Sequence, residues 1–398
     1  MKNLLMVLAI CVLGTTALLA DGKAKLTLWS YQEGDSPKVL QQLIGEFNAS
    51  QDKVEVVYEY IPFASFKQNL TVSVMAKDMA DIVIIDNPDN AAYAALGAFA
   101  DVSDLVAGWE GKDKFYPGPW KSTLYNGKQY GIPMDSNDLA LYYDKKALTA
   151  AGVKVPTTWD ELKVAAKKLS SKNRFGLAIS APKSEEGTFQ YIPWILSTGA
   201  DVTKVNTPEA VKSLTFLRGL IVDKSMSPEV INWTQGDVQK QFSAGKAAMM
   251  VNGPWNVGSI KRDSPDLDYG IALIPRDKQF SSVLGGENLA ITKTANRDAA
   301  WTFVKWFASK EIENRYNALT GTFPSRADAI AVNDVWTKDP VLAGFLEEMK
   351  YAMPRGPHPR WPEISNALSE NLQKALIGVA TPKAALDDAQ TKIDKVLK

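Results

Sequence analysis

Five polar clusters, each set directly against an apolar run, hold the groups in this chain best placed to engage a small molecule. Ser30-Tyr31-Gln32-Glu33-Gly34-Asp35 follows the run at 26–29, and Asp86-Asn87-Pro88-Asp89-Asn90 follows the run at 82–85. Asp135-Ser136-Asn137-Asp138 follows Pro133, and Asn252-Gly253-Pro254-Trp255 follows Val251. Gly285-Gly286-Glu287-Asn288 lies between Leu284 and Leu289. Carboxylates, amides and aromatics dominate, with little cationic charge. That mixture suits a sugar. Its hydroxyls donate and accept, which matches Asp, Glu and Asn, and its C–H faces lie flat on an aromatic ring. Taken alone, each cluster reads as a turn or cap, because Asp, Asn, Ser and Gly favour such places. Five of them at strand ends exceed what turn chemistry requires.

Other chemistries have few residues to draw on. One His and one Cys cannot furnish a zinc site or most nucleophile–base pairs, so no metal and no cofactor are expected. His358, in Arg355-Gly-Pro-His-Pro-Arg360, reads as a surface-loop residue. A glycosidase needs two carboxylates across one bond, and Glu33, Asp86 and Glu287 offer such a pair on paper. A phosphodiester ligand would recruit Arg or Lys, and only Arg326, Arg355 and Arg360 lie near the clusters. Tyr142-Tyr143 resembles an iron-binding tyrosine pair, although in a strand the two would point to opposite faces. With 45 Lys plus Arg against 45 Asp plus Glu, nothing points to a nucleic-acid or membrane-surface partner.

The 11 tryptophans sort by context. Trp29, Trp159, Trp301 and Trp306 lie in predicted strands or beside helical faces, as packing residues do. Trp109, Trp120, Trp194, Trp233, Trp255, Trp336 and Trp361 lie in or near breaks rich in Gly, Pro, Asn or Asp. Trp255, Trp361 and Trp194 are taken as ligand-facing candidates.

The elements that would hold these residues alternate in type. A strand at 26–29 leads to a helix opened by Ser36-Pro37, with Val39, Leu40, Leu43, Ile44 and Phe47 on one face. A strand at 54–60, a helix through Phe63, Phe66, Leu70 and Val74, and a buried strand at 82–85 complete an α/β pattern. Thr158 and Glu161 form a capping box, and Thr207, Asn296 and Thr381 sit where helices should begin. Strands are expected at 246–251, 269–274 and 289–292. At 398 residues, two domains are expected.

The first twenty residues have the layout of a secretory signal peptide: Lys2, an apolar run at 4–13, then small residues up to Ala20. Cys11 follows Ile10 rather than a small residue, so a lipid anchor is not expected. Cleavage after Ala20 would leave a cysteine-free chain.

Taken in order, several segments resemble the family-1 extracellular solute-binding proteins of ABC importers, the group that contains the maltose-binding protein. The resembling segments are Ala80-Asp-Ile-Val-Ile-Ile-Asp86, Tyr125-Asn-Gly-Lys-Gln-Tyr-Gly-Ile-Pro133 and Pro156-Thr-Thr-Trp-Asp-Glu-Leu162. Phe242-Ser-Ala-Gly-Lys-Ala-Ala-Met-Met-Val-Asn-Gly-Pro-Trp255 and Gly321-Thr-Phe-Pro-Ser-Arg326 add to them. The resemblance implies a type II periplasmic-binding-protein fold: two discontinuous α/β lobes hinged around a cleft. It places the lobes at 21–136 plus 289–323 and at 137–288 plus 324–398, with crossings near Asp135, Glu287 and Pro324. It also implies a non-catalytic, monomeric protein, periplasmic or extracellular, that hands a mono- or oligosaccharide to a membrane permease. The same scaffold could serve a glycerol phosphodiester, a polyol or ferric iron. Tyr31, Glu33, Asp86 and Asn87 match family contact positions, and Trp255 matches a stacking position. Asn137 stands where a maltose binder carries a carboxylate. Glu287 and Arg326 fall at crossings, and Trp361 near a further aromatic contact.

Overall fold

The computed structural model describes residues 22–355 and 358–398. The expected signal peptide and Cys11 lie outside the described residues. Among those described, no helix is long and apolar enough to cross a membrane.

Two sheets organise the chain. The first contains β1 (Ala24–Ser30), β2 (Val54–Tyr60), β3 (Ile82–Asp86) and β4 (Ile132–Pro133). The second contains β5 (Ala140–Asp144), β6 (Phe175–Ala178), β7 (Ala247–Asn252) and β8 (Tyr269–Ala272). A short strand, β9 (Ser282–Leu284), precedes β10 (Glu287–Ile291), which returns to the first sheet. The first sheet runs β2-β1-β3-β10-β4 and the second β8-β5-β7-β6. β1, β2 and β3 are parallel, whereas β10 lies antiparallel to β3 with Glu287 opposite Asp86. The strand expected at 289–292 therefore starts earlier, at Glu287.

The continuous apolar run in β3 has a simple cause. Ile82 and Ile84 enter a core with Leu26, Leu28 and Phe303, while Val83 and Ile85 enter one with Phe66, Leu70 and Phe99. Both faces of the strand are covered, so period-2 alternation has no polar half. The helix Ser36–Ser50 buries Val39, Leu40, Leu43, Ile44 and Phe47 on the face that their spacing predicts. Ser36 is its first helical residue rather than a cap, and Asp35 precedes it without a side-chain cap bond. Thr158, Thr207, Asn296 and Thr381 do accept from backbone N–H groups three residues on. The reciprocal arm of the Thr158 box goes one residue early, because Glu161 Oε2 accepts from Thr157 N at 2.8 Å.

Three chain segments cross between the sheets side by side. Ser136 and Phe323 exchange backbone hydrogen bonds of 2.7 and 2.8 Å, and Asn137 and Gly285 exchange bonds of 3.2 and 2.8 Å. The protein thus has the two-lobed binding-protein fold, with its lobes joined by hinge crossings. In open sheets of this kind, ligands meet the carboxyl ends of the strands. Here those ends surround the space between the lobes.

Candidate ligand-binding cleft

A cavity of about 430 Å³ lies between the lobes, lined by residues that follow strands in both. The first lobe contributes Tyr31, Gln32, Glu33, Phe63 and Asp86. Asn137, Gly286 and Glu287 form the hinge side. The second lobe contributes Glu185, Glu186 and Phe189 from the helix Glu185–Ser197, the start of the helix Gln235–Ser243, Trp255 after β7, and Arg355. Arg355 follows β11 (Ala352–Pro354), which pairs with β9.

The hinge side is a hydrogen-bonded carboxyl cluster. Asp135 Oδ1 accepts from Glu287 N at 3.0 Å, and Asp135 Oδ2 accepts from Gln32 Nε2 at 3.2 Å. Gln32 Oε1 in turn accepts from Tyr316 Oη at 2.8 Å. Tyr31 Oη donates to Glu287 Oε1 at 3.1 Å while its ring packs against Phe63 and Phe66. Burial, then the charges of Asp135 and Asp86, push Glu287 well above the usual carboxylate range. Burial and nearby like charge both favour the neutral form of Glu287.

Asp86 is engaged differently. Arg355 Nη1 and Nη2 donate to its two oxygens at 2.8 and 2.6 Å, a bidentate fork. Arg355 also donates to Glu185 and lies over the Phe189 ring, 4.4 Å from its centroid. Two further carboxylates, Glu33 and Glu186, lie at the cavity with no ion-pair partner among the described residues. Burial raises Glu33, and burial pushes Glu186 up to about 7, with Glu33 and Asp237 adding to the rise. Among the described residues, only the backbone N–H of Gln235, at 3.2 Å, hydrogen-bonds Glu186.

This makes stability depend on pH in a stated direction. The folded carboxyl holds its proton up to about 7, whereas the unfolded one releases it near 4.5. Stability from Glu186 is therefore complete below the lower value and is lost as pH rises through the upper one. Thermal melts of Glu186→Gln from pH 5 to 8 should decline less with pH than the wild type. Parallel curves would refute the assignment.

Trp255 is half-buried at the cavity wall, its ring 6.3 Å from that of Phe189. Gly253 leaves it room, since a Cβ there would stand 1.9 Å from the indole.

Of the residues singled out by sequence, Tyr31, Glu33, Asp86, Asn137, Trp255 and Glu287 line this cavity. Asn87 lies just behind it, accepting from Arg355 Nη2 at 3.3 Å. Three others lie elsewhere. Trp194 is fully buried in the second lobe against Trp159 and Phe216, because the break suggested by Pro193 is absorbed within a continuous helix. Trp361 is 1% exposed and donates its indole N–H to Glu185, so it orients a cavity residue without reaching the cavity. Arg326 turns away to Asp328 and to the Ala308 carbonyl. Tyr142 is buried and donates to the Gly253 carbonyl, while its neighbour Tyr143 is on the other face of β5. Sequence reasoning missed Glu185, Glu186 and Phe189, for which Ser184-Glu185-Glu186 as a helix opening was the available signal. Arg355 was noticed only as an anion-binding option.

Comparison with known proteins agrees with this architecture. Residues 42–344 match the model of the bacterial extracellular solute-binding protein family. A maltotriose-binding protein of Pyrococcus abyssi is 28% identical over 374 residues, 88% of this chain and 78% of that one. A solute-binding protein of Thermotoga lettingae, solved with alpha-D-tagatose, superposes with a TM-score of 0.89 at 25% identity, covering 94% of this chain and all (100%) of that one. One from Agrobacterium radiobacter K84, solved with ribitol, gives 0.81 at 29% identity and covers 94% and 98%. With the match extending over most of its length, the chain belongs to the bacterial extracellular solute-binding protein family.

Proposed function

We propose that this protein is the substrate-binding component of an ABC-type importer. It captures a neutral mono- or oligosaccharide in the cleft and delivers it to a membrane permease. One observation carries this reading: the cavity pairs the aromatic rings of Trp255 and Phe189 with carboxyls and amides, while its most buried cation, Arg355, is already held by two carboxylates. A phosphate ligand would find that guanidinium taken. The relatives solved with tagatose and ribitol support a polyhydroxylated guest, sugar or polyol.

The protein binds without turnover on this reading. Asp86 is held in the bidentate fork of Arg355, so it is not set up as an independent acid or nucleophile. We further place the lobes at 21–136 plus 289–323 and 137–288 plus 324–398. The mature chain is monomeric, exported with residues 1–20 removed and without a lipid on Cys11. Mass spectrometry of the secreted protein tests the last point directly.

A thermal-shift screen against sugars and polyols tests the function. A ligand at 100 times its dissociation constant adds about 2.7 kcal/mol to the folded state, which should appear as a rise of several degrees. A rise with a phosphodiester or ferric iron, and none with any carbohydrate or polyol, would overturn the substrate class. New reducing ends after incubation with oligosaccharides would overturn binding without turnover.

A further inference from the structure

Five buried or part-buried charges of alternating sign run from one lobe into the other. Asp86 ends β3, Asp89 follows it, and Lys67 comes from the helix Phe63–Ala76, all in the first lobe. Glu185 opens a second-lobe helix, and Arg355 follows β11. The fork of Arg355 on Asp86 crosses the cleft, and Arg355 Nη1 also donates to Glu185 Oε1 at 2.7 Å. Lys67 crosses in the opposite sense: its Nζ lies 3.7 Å from Glu185 Oε2 and 2.6 Å from Asp89 Oδ2. Side-chain exposure is 3% for Arg355 and 2% for Glu185.

These contacts consist entirely of the protein's own groups. Opening the cleft would separate a second-lobe cation from a first-lobe anion and a first-lobe cation from a second-lobe anion. In a water-poor interior such pairs are short-ranged in their geometry, and a bidentate fork is lost with a small displacement. A third crossing pair, Arg262 with Asp35 at 2.8 Å, is exposed at the rim and contributes little.

We propose that Arg355 is an interlobe latch that holds part of the ligand-free population closed, so that ligand selects a closed form already present. Apparent affinity scales with the fraction of competent protein. Losing the latch should therefore lower the closed fraction of the empty protein. The proposal concerns the empty protein and does not depend on which solute is carried.

The test needs no ligand. Single cysteines replace the exposed Met75 in the first lobe and Val164 in the second. Spin labels on them report the interlobe distance distribution of the ligand-free mature protein by double electron–electron resonance. We expect two populations in the otherwise wild-type protein, and loss of the one matching the closed structure in Arg355→Gln. Asp86→Asn, which keeps size and one acceptor, should shift the populations in the same direction and serves if Arg355→Gln fails to melt cooperatively. A single open population before mutation, or distributions unchanged by either substitution, would overturn the latch.

Discussion

Trp255→Ala should weaken carbohydrate binding by roughly 30- to 150-fold, equivalent to about 2–3 kcal/mol, while leaving a folded protein. The half-exposed ring stands at the cavity beside Phe189 and presents a flat apolar face to a guest's C–H groups. Alanine removes that face and leaves Phe189 as the neighbouring ring in the wall. Isothermal calorimetry with the tightest sugar from the thermal-shift screen gives the number. Gly253→Ala supplies an independent approach without deleting the ring. Its Cβ would lie 1.9 to 2.4 Å from three indole atoms, so the ring must swing aside. Affinity should fall in both variants. If both bind as the wild type does, Trp255 is a wall residue without a stacking role.

The positions of the cleft residues were legible because the sequence clusters sit after apolar runs, and a parallel strand that ends in polar residues must deliver them to the sheet's carboxyl edge. Asp86 at the end of the apolar run in β3, and Trp255 after β7, are the clearest cases. Cap positions were legible for the same local reason, since Thr207 or Asn296 needs only the backbone three residues ahead. The charge chain was not legible. Arg355 meets Asp86 across a separation of 269 residues and Glu185 across 170, and no local pattern encodes such a meeting. Trp194 misled for a different reason: Pro193 reads as a break, yet tertiary packing carries the helix through it and buries the indole. Arg326 showed a related limit. It lies close to the Phe323 crossing, but its direction is set by Asp328 two residues on.

The hinge offers the sharpest stability prediction. Gly286 has φ of +131°, a region that side-chain-bearing residues rarely enter, and it lies between β9 and the return strand β10. A Cβ there would stand 2.3 Å from the Asp135 carbonyl oxygen and 2.9 Å from Ser136 Cα. Both are backbone atoms of the adjacent crossing, so no flexible side chain can yield. Gly286→Ala should therefore combine dihedral strain with a backbone clash and destabilise by about 2–4 kcal/mol. Gly245→Ala separates the two contributions. That residue also has positive φ, +68°, but nothing lies within 4 Å of its Cβ, so only the left-handed penalty of about 1 kcal/mol applies. Urea unfolding of the two variants should rank them in that order. Because Gly286 sets the spacing between two crossings, its variant should also bind more weakly than its lowered stability explains, measured at a temperature where both proteins are folded. Equal unfolding midpoints for the two variants would mean that the crossings are looser than their hydrogen bonds imply, and that closure pivots elsewhere.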